Sequence, residues 1–427
     1  MQPLAAQPLR DAAEPGPALG PLPEWNLDDL YQGGADPKLA TDLAWATGEA
    51  KAFADTYEGK LASLDAAGMA DCIRCYERLQ QVSGRISSFA GLRYYQKTTD
   101  AARAKFFSDT QTRLTDLSTP LVFFTLELNR VPDETLARWI AEEAEVARYK
   151  PVLDRLRAFK PYQLSDELER FLHDHSVVGA AAWNRLFDET MAGLEFEVSG
   201  ETLPLEATLN LLSDPDRGRR QAVGEALAKV FAARLPLFAR ITNTLAKEKE
   251  IEDRWRKYPM PQTARHLSND VEPEVVEALR NAVTAAYPRL SHRYYALKAR
   301  WLGLEKLEYW DRNAPLPERE ERLVPWEEAR ETVLSAYAGF SPRMAEIAAE
   351  FFAKDWIDAG VKPGKAPGAF AHPTVTDAHP YVLLNYLGKP RDVMTLAHEL
   401  GHGVHQMLAR PQGALLASTP LTLAETA

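Results

Sequence analysis

From Val393 to Ala409 the chain reads VMTLAHELGHGVHQMLA, and Glu399 is the only formally charged side chain in that run. At about 100° per residue, Val393, Leu396, Ala397, Leu400, Val404, Met407 and Leu408 fall on one helical face. His398, His402 and His405 fall together on the opposite face. A helix with one face in solvent carries several charges there. This one predicts a fold large enough to cover it on both sides and to supply partners for its imidazoles. Pro390 suits the first helical position, Asp392 complements the helix dipole, and Arg410-Pro411 ends the pattern.

The chain has the material for such a body: 427 residues, 45% of them hydrophobic and 26% charged. That mixture excludes a chain disordered throughout, a collagen-like repeat or a disulfide scaffold, and only Cys72 and Cys75 occur. The 50 basic residues against 61 acidic ones leave a net charge of −11, no footprint for phosphate backbones or anionic lipid. Neither nucleic acid nor membrane is an expected partner. No segment has the length of a membrane span, and the proline-broken N-terminus lacks the apolar core of a signal peptide. The expected setting is cytoplasmic.

Residues 1–22 read as a flexible Pro/Ala-rich tail. Asp36-Pro37 opens the first long helix, and helical periodicity continues over 70–95, 100–130, 133–148 and 165–192. Leu194–Val198 and Thr202–Leu205, joined through Ser199-Gly200-Glu201, predict a hairpin. Helices resume over 214–256, after Pro273 and over 326–356. Residues 361–380 read as loop, leading into a buried strand at 381–386. The fold class is mainly α, divided into a helical region 23–192 and a region 193–427 that carries the chemistry.

His398-Glu399-Leu400-Gly401-His402 is an HExxH motif. Residues four apart on a helix stack one above the other, so both imidazoles can converge on one ion. Neutral imidazole nitrogens suit Zn²⁺, and the carboxylate between them can take a proton from a bound water. A catalytic zinc takes a third protein ligand and keeps one open position. Three side chains in one helical row do not close a tetrahedral corner, so His405 is expected to pack or to support a ligand. Glu425 stands alone after an apolar, uncharged stretch and is the expected third ligand. His379 is expected to contact substrate. Cys72-Ile73-Arg74-Cys75 has no second pair and reads as helix thiols, His173-Asp174-His175 as a surface loop, and Pro363-Gly364-Lys365 lacks phosphate-loop spacing.

The run AFAHPTVTDAHPYVLLNYLGKPRDVMTLAHELGHGVHQ, followed by GALLASTPLTLAETA, closely resembles oligoendopeptidase F, of the thimet oligopeptidase-like family of zinc metallopeptidases. WNLDDLY at 25–31, ARHLSNDVEPEVVEAL at 264–279 and HRYYALKARWLGLEKLEYWDRNAPL at 292–316 share the resemblance. It implies a prolate zincin-like molecule whose N-terminal helices close over a channel admitting short oligopeptides. One Zn²⁺ per chain would be held by His398, His402 and Glu425, with Glu399 as general base. It further implies that Tyr381–Tyr386 is an edge strand receiving the peptide backbone, with Tyr381 on the substrate side, and that the loop with Gly364 and Gly368 shapes subsites. Family members continue beyond the position of Ala427 and supply further His and Tyr residues. The resemblance thus leaves two expectations: a zinc-dependent oligopeptidase, and an incomplete remnant that binds metal or peptide without turnover.

Overall fold

The computed structural model describes residues 19–317 and 322–426. Residues 1–18 of the expected tail lie outside the described residues. Leu19 is buried and its carbonyl accepts the Trp326 N–H at 2.9 Å, so the tail's expected end at residue 22 falls inside packed structure.

Helices α1 (Pro37–Tyr57), α2 (Ala66–Tyr95), α3 (Ala101–Ser118), α4 (Val122–Arg130), α5 (Asp133–Glu142), α6 (Ala144–Arg148) and α7 (Lys150–Ala158) come first. Asp36 caps α1 by accepting the Lys38 N–H, with Pro37 at the first turn, and Asp65 caps α2 through the Gly68 N–H. The single helical stretch expected over 100–130 is broken at Pro120, which lacks the N–H a continuous helix needs. The stretch expected over 165–192 is likewise two helices, α8 (Asp166–His175) and α9 (Ala180–Ala192). His173 and His175 thus end a helix and do not form a loop; the His173 Nε2 lies 2.8 Å from Ser118 Oγ.

The hairpin is β1 (Glu195–Val198) and β2 (Glu201–Pro204), antiparallel. Ser199 and Gly200 both have positive φ, the two-residue turn whose twist matches the strands. Phe196 and Val198 point inward and pack on Val223 and Leu227. Those two belong to the long helix α11 (Arg217–Arg256), reached through α10 (Leu205–Asn210). The chain continues through α12 (Thr263–Ser268), α13 (Pro273–Ala286) and α14 (Arg293–Trp301) to the antiparallel pair α15 (Trp326–Phe340) and α16 (Pro342–Ala353).

A three-stranded sheet follows: β3 (Ile357–Asp358), β4 (Phe370–His372) and β5 (Tyr381–Leu383), in spatial order β3-β5-β4. β5 is parallel to β3 and antiparallel to β4. The expected edge strand is therefore the centre of the sheet, and β4, inside the expected loop, is one of its edges. Lys365 buttresses this sheet from within. Its ammonium donates to Asp358 Oδ1 (2.6 Å) and to the carbonyls of Leu384 (2.6 Å), Gly360 (2.7 Å) and Asp358 (3.1 Å).

Behind the sheet lies α17 (Pro390–Ala409). Its Leu396, Leu400 and Val404 share one core with Val382, Phe351 and Val333, and also with Trp25, Leu30, Tyr31 and Phe89. The expected division of the chain at residue 192 thus runs across a shared core. A second core gathers Phe53, Ile73, Phe124 and Trp139 from the N-terminal helices. Among the described residues no helix is long and apolar enough to cross a membrane.

Candidate metal centre

Helix α17 starts as its sequence dictates. Pro390 occupies the first turn, and the Asp392 carboxylate accepts the N–H groups of Leu387 (2.9 Å) and Lys389 (3.0 Å). Its apolar face meets α16 at close range: a Cβ on Gly403 would lie 2.7 Å from Phe351 Cζ. The Tyr337 hydroxyl, from α15, donates to the Ala397 carbonyl in the turn before the motif. The expected burial of both faces holds only in part. Met394 and Leu408 are exposed, and the His398 side chain is 53% exposed. The missing charges on the histidine face are explained by a cleft that this face borders.

In that cleft three sequence-predicted residues meet. His398 Nε2 lies 3.1 Å from His402 Nε2 and 3.4 Å from Glu425 Oε2, and His402 Nε2 lies 3.6 Å from Glu425 Oε1. Glu425 follows the short helix α18 (Leu421–Ala424), which brings it back over α17. Three donors held about 2.0–2.2 Å from a tetrahedral Zn²⁺ stand about 3.3 Å apart. The observed triangle matches that spacing, and its donor set of two imidazoles and a carboxylate suits a borderline divalent ion. His405 stands outside the triangle, as expected.

Glu399 is buried beside the triangle. Burial raises its pKa, while His398 and the Ala371 backbone N–H favour its charged form. Burial, and then neighbouring His398, lowers the pKa of His402. His372, on β4, accepts the Thr374 N–H at Nδ1, and burial pushes its pKa down to about 4, so it stands neutral at pH 7.

His379 and Tyr381 have other employment than the substrate contacts expected of them. The His379 ring stacks on Trp356 at 3.7 Å, and its Nε2 meets Asp29. The Tyr381 hydroxyl donates to the Asn26 carbonyl at 2.8 Å. Both are buried and fasten the segment around residues 25–31 to the sheet. Sequence reasoning missed polar groups on α17 and at its end that border the cleft. The Gln406 amide donates to the Ala371 carbonyl (3.2 Å), and Arg410 Nε to the Thr376 carbonyl (2.8 Å). Only the polar character of Gln406 on the histidine side of an otherwise apolar helix signalled it. Cys72 is buried and Cys75 half-buried on α2, helix thiols as expected.

The cleft widens into a cavity of about 720 Å³. Its walls come from α2, α4 and α7 on one side and from 371–376, α17 and 414–425 on the other, with His402 and Glu425 on its surface.

Residues 210–427 match the family model of peptidase family M3, and residues 127–196 match that of the oligopeptidase F N-terminal region. The chain belongs to peptidase family M3. Among M3 relatives, it is 24% identical over 397 residues to oligopeptidase PepF of Bacillus subtilis, a match covering 90% of this chain and 58% of that protein. It is 24% identical over 421 residues to an oligoendopeptidase F homolog of Lactococcus lactis, covering 94% and 67%. The crystal structure of oligoendopeptidase-F from Enterococcus faecium superposes with a TM-score of 0.59 at 20% identity, covering 75% of this chain and 64% of that one. PZ peptidase A gives 0.65 at 17% identity, covering 91% and 66%. These structural matches establish the mainly helical M3 fold. The chain spans less than two thirds of the length of the B. subtilis relative.

Proposed function

We propose that this M3 chain carries the metal centre and general base of a zinc-dependent endopeptidase that hydrolyses bonds within short oligopeptides. The observation that supports this most is the His398–His402–Glu425 triangle, of ligand spacing, beside the buried Glu399 and open to a cavity of peptide size. Zn²⁺ held there supplies Lewis acidity, acidifying water and polarising a scissile carbonyl.

The remaining work falls to the chain itself. Glu399 takes the proton of the attacking water and returns it to the leaving nitrogen. The cavity, walled by helices on one side and by β4 on the other, admits an extended chain and excludes a folded one. β4 borders the path of that chain. The Val382 and Leu384 N–H groups are turned toward β3, to Trp356 and Asp358 carbonyls, so Tyr381 and Leu383 exchange bonds with His372 and Phe370. Ala371 between them turns its N–H and C=O outward, toward Glu399 and Gln406. A peptide passing that edge lies beside the metal ligands, and it pairs with Ala371 by displacing one of those side chains.

The test compares the wild-type chain with E399Q. Both are expected to retain one zinc per chain after dialysis, with H402A losing it. Cleavage of an internally quenched peptide is expected to fall about 10²- to 10⁴-fold or more in E399Q. Full activity in E399Q would remove Glu399 from the base role, and absence of bound zinc in the wild type would end the metallopeptidase reading.

A further inference from the structure

The cavity beyond the metal triangle is walled mainly by apolar side chains, among them Tyr76, Phe124, Leu156 and Leu415. Among its described lining residues Glu425 is the one carboxylate, committed to the triangle, and Arg410 is the one permanently charged cation. Among the described residues Arg410 forms no ion pair. Its Nε donates to the Thr376 carbonyl, and its Nη1 approaches Met407 Sδ at 3.4 Å. A guanidinium carries five N–H donors in a planar fork, so three remain beyond these two contacts on a residue that lines the cavity. A permanent cation in an apolar cleft favours a carboxylate, which the fork can grip at two points. The surrounding chain is acidic, at −11 net, and its general field disfavours anionic peptides, so attraction for one must be local.

The distance is set by the helix. From His402 to Arg410 is eight residues at about 1.5 Å each, or about 12 Å along the axis. An extended peptide covers that in three to four residues of about 3.3 Å. We infer that Arg410 is a specificity-determining residue that binds a substrate carboxylate three to four residues from the scissile bond. The inference rests on the peptidase reading above. Two sources carry this chemistry: the C-terminal carboxylate of a short peptide, and an Asp or Glu side chain within a longer one.

The test reads binding without turnover. Zinc-loaded E399Q is titrated, by fluorescence anisotropy, with one labelled peptide as free acid, as C-terminal amide, and as amides carrying a single Glu at successive positions. Either the free acid or one Glu position is expected to bind about tenfold or more tightly than the plain amide, the worth of a charged hydrogen bond. That result names the source. In E399Q/R410Q the preference disappears while affinity for the plain amide stays within about twofold, and R410K, which keeps the charge without the fork, retains part of it. If Arg410 only anchors Thr376, acid and amide weaken together in R410Q, and the inference falls. It falls also if acid, Glu-bearing and plain amide peptides bind E399Q alike. Such results leave the peptidase reading intact where the wild type still cleaves; no binding of any peptide together with no cleavage sinks both.

Discussion

The buried ion pair under the sheet makes a quantitative claim. Lys365 and Asp358 have side chains only 1% and 2% exposed, and the ammonium satisfies four oxygens at once. Burial lowers the Lys365 pKa, with a smaller push from Lys362, and Asp358 opposes that shift. The K365M substitution keeps most of the aliphatic stem and removes the charge. It strands a buried carboxylate, which costs about 3–5 kcal/mol when one member of such a pair is lost. The Gln96 amide still donates to Asp358 Oδ2 at 3.2 Å, which places the expected loss at the lower end, about 3 kcal/mol. Against a total stability of about 5–15 kcal/mol this is a large share.

The loss should appear first in the sheet. The amides of Val382, Leu384 and Tyr386 bond to the carbonyls of Trp356, Asp358 and Ala359, the strand that the pair ties down. Urea unfolding gives the global figure, and hydrogen exchange over 380–387 gives the local one. The double variant D358N/K365M removes the stranded charge and is expected to be more stable than K365M by about 1 kcal/mol or more. A K365M loss under about 1 kcal/mol, or a double variant no better than the single, would refute the reasoning.

Two further outcomes can be checked on the same preparations. G403A gains about 1 kcal/mol in helix propensity, but its Cβ would sit 2.7–2.8 Å from the ring of fully buried Phe351, an overpacking cost of about 1–3 kcal/mol. Calorimetric melting should show net destabilisation of about 1 kcal/mol, relieved in G403A/F351L, and a stabilised G403A would contradict the packing argument. Glu169 provides the pH dependence: burial raises its pKa, but the two-point pair with Arg256 (2.6 and 2.9 Å) and the Leu164 N–H outweigh burial and lower it overall. With the folded pKa below the unfolded value of about 4.3, the unfolded chain binds more protons between the two. The stabilisation is therefore present above about pH 4.3 and is lost as pH falls through the folded pKa. Urea midpoints from pH 5.5 downward should fall more steeply in the wild type than in E169Q, and parallel curves would contradict this.

What was legible in the sequence was local. The α17 helix, its Pro390 start and the hairpin around Ser199-Gly200 follow from spacings within one or two turns, and the structure bears these out; the HExxH spacing is of the same kind, and the two imidazole Nε2 atoms stand 3.1 Å apart. Glu425 was reachable by a chemical demand, the need for a third donor, and the structure brings its carboxylate to both imidazoles. The failures share one cause. Phe370–His372 is too short to announce itself as a strand, and nothing in Tyr381–Leu383 says which neighbours it will have. Its apolar run marks burial, and a strand with partners on both sides is more buried than an edge, so the same signal fits the centre of the sheet better. The partners of His379 and Tyr381 are hidden for a related reason, because a buried polar group needs a partner and sequence does not say which segment supplies it. Asp29 and the Asn26 carbonyl meet the demand from residues about 350 positions away. Lys365 shows the converse, a lysine in an expected loop whose acceptors on Asp358, Gly360 and Leu384 converge only once β3 and β5 pair. The metal triangle needed one helix and one returning carboxylate; the cleft around it depends on pairings between distant segments, and those decide which backbone a peptide can meet.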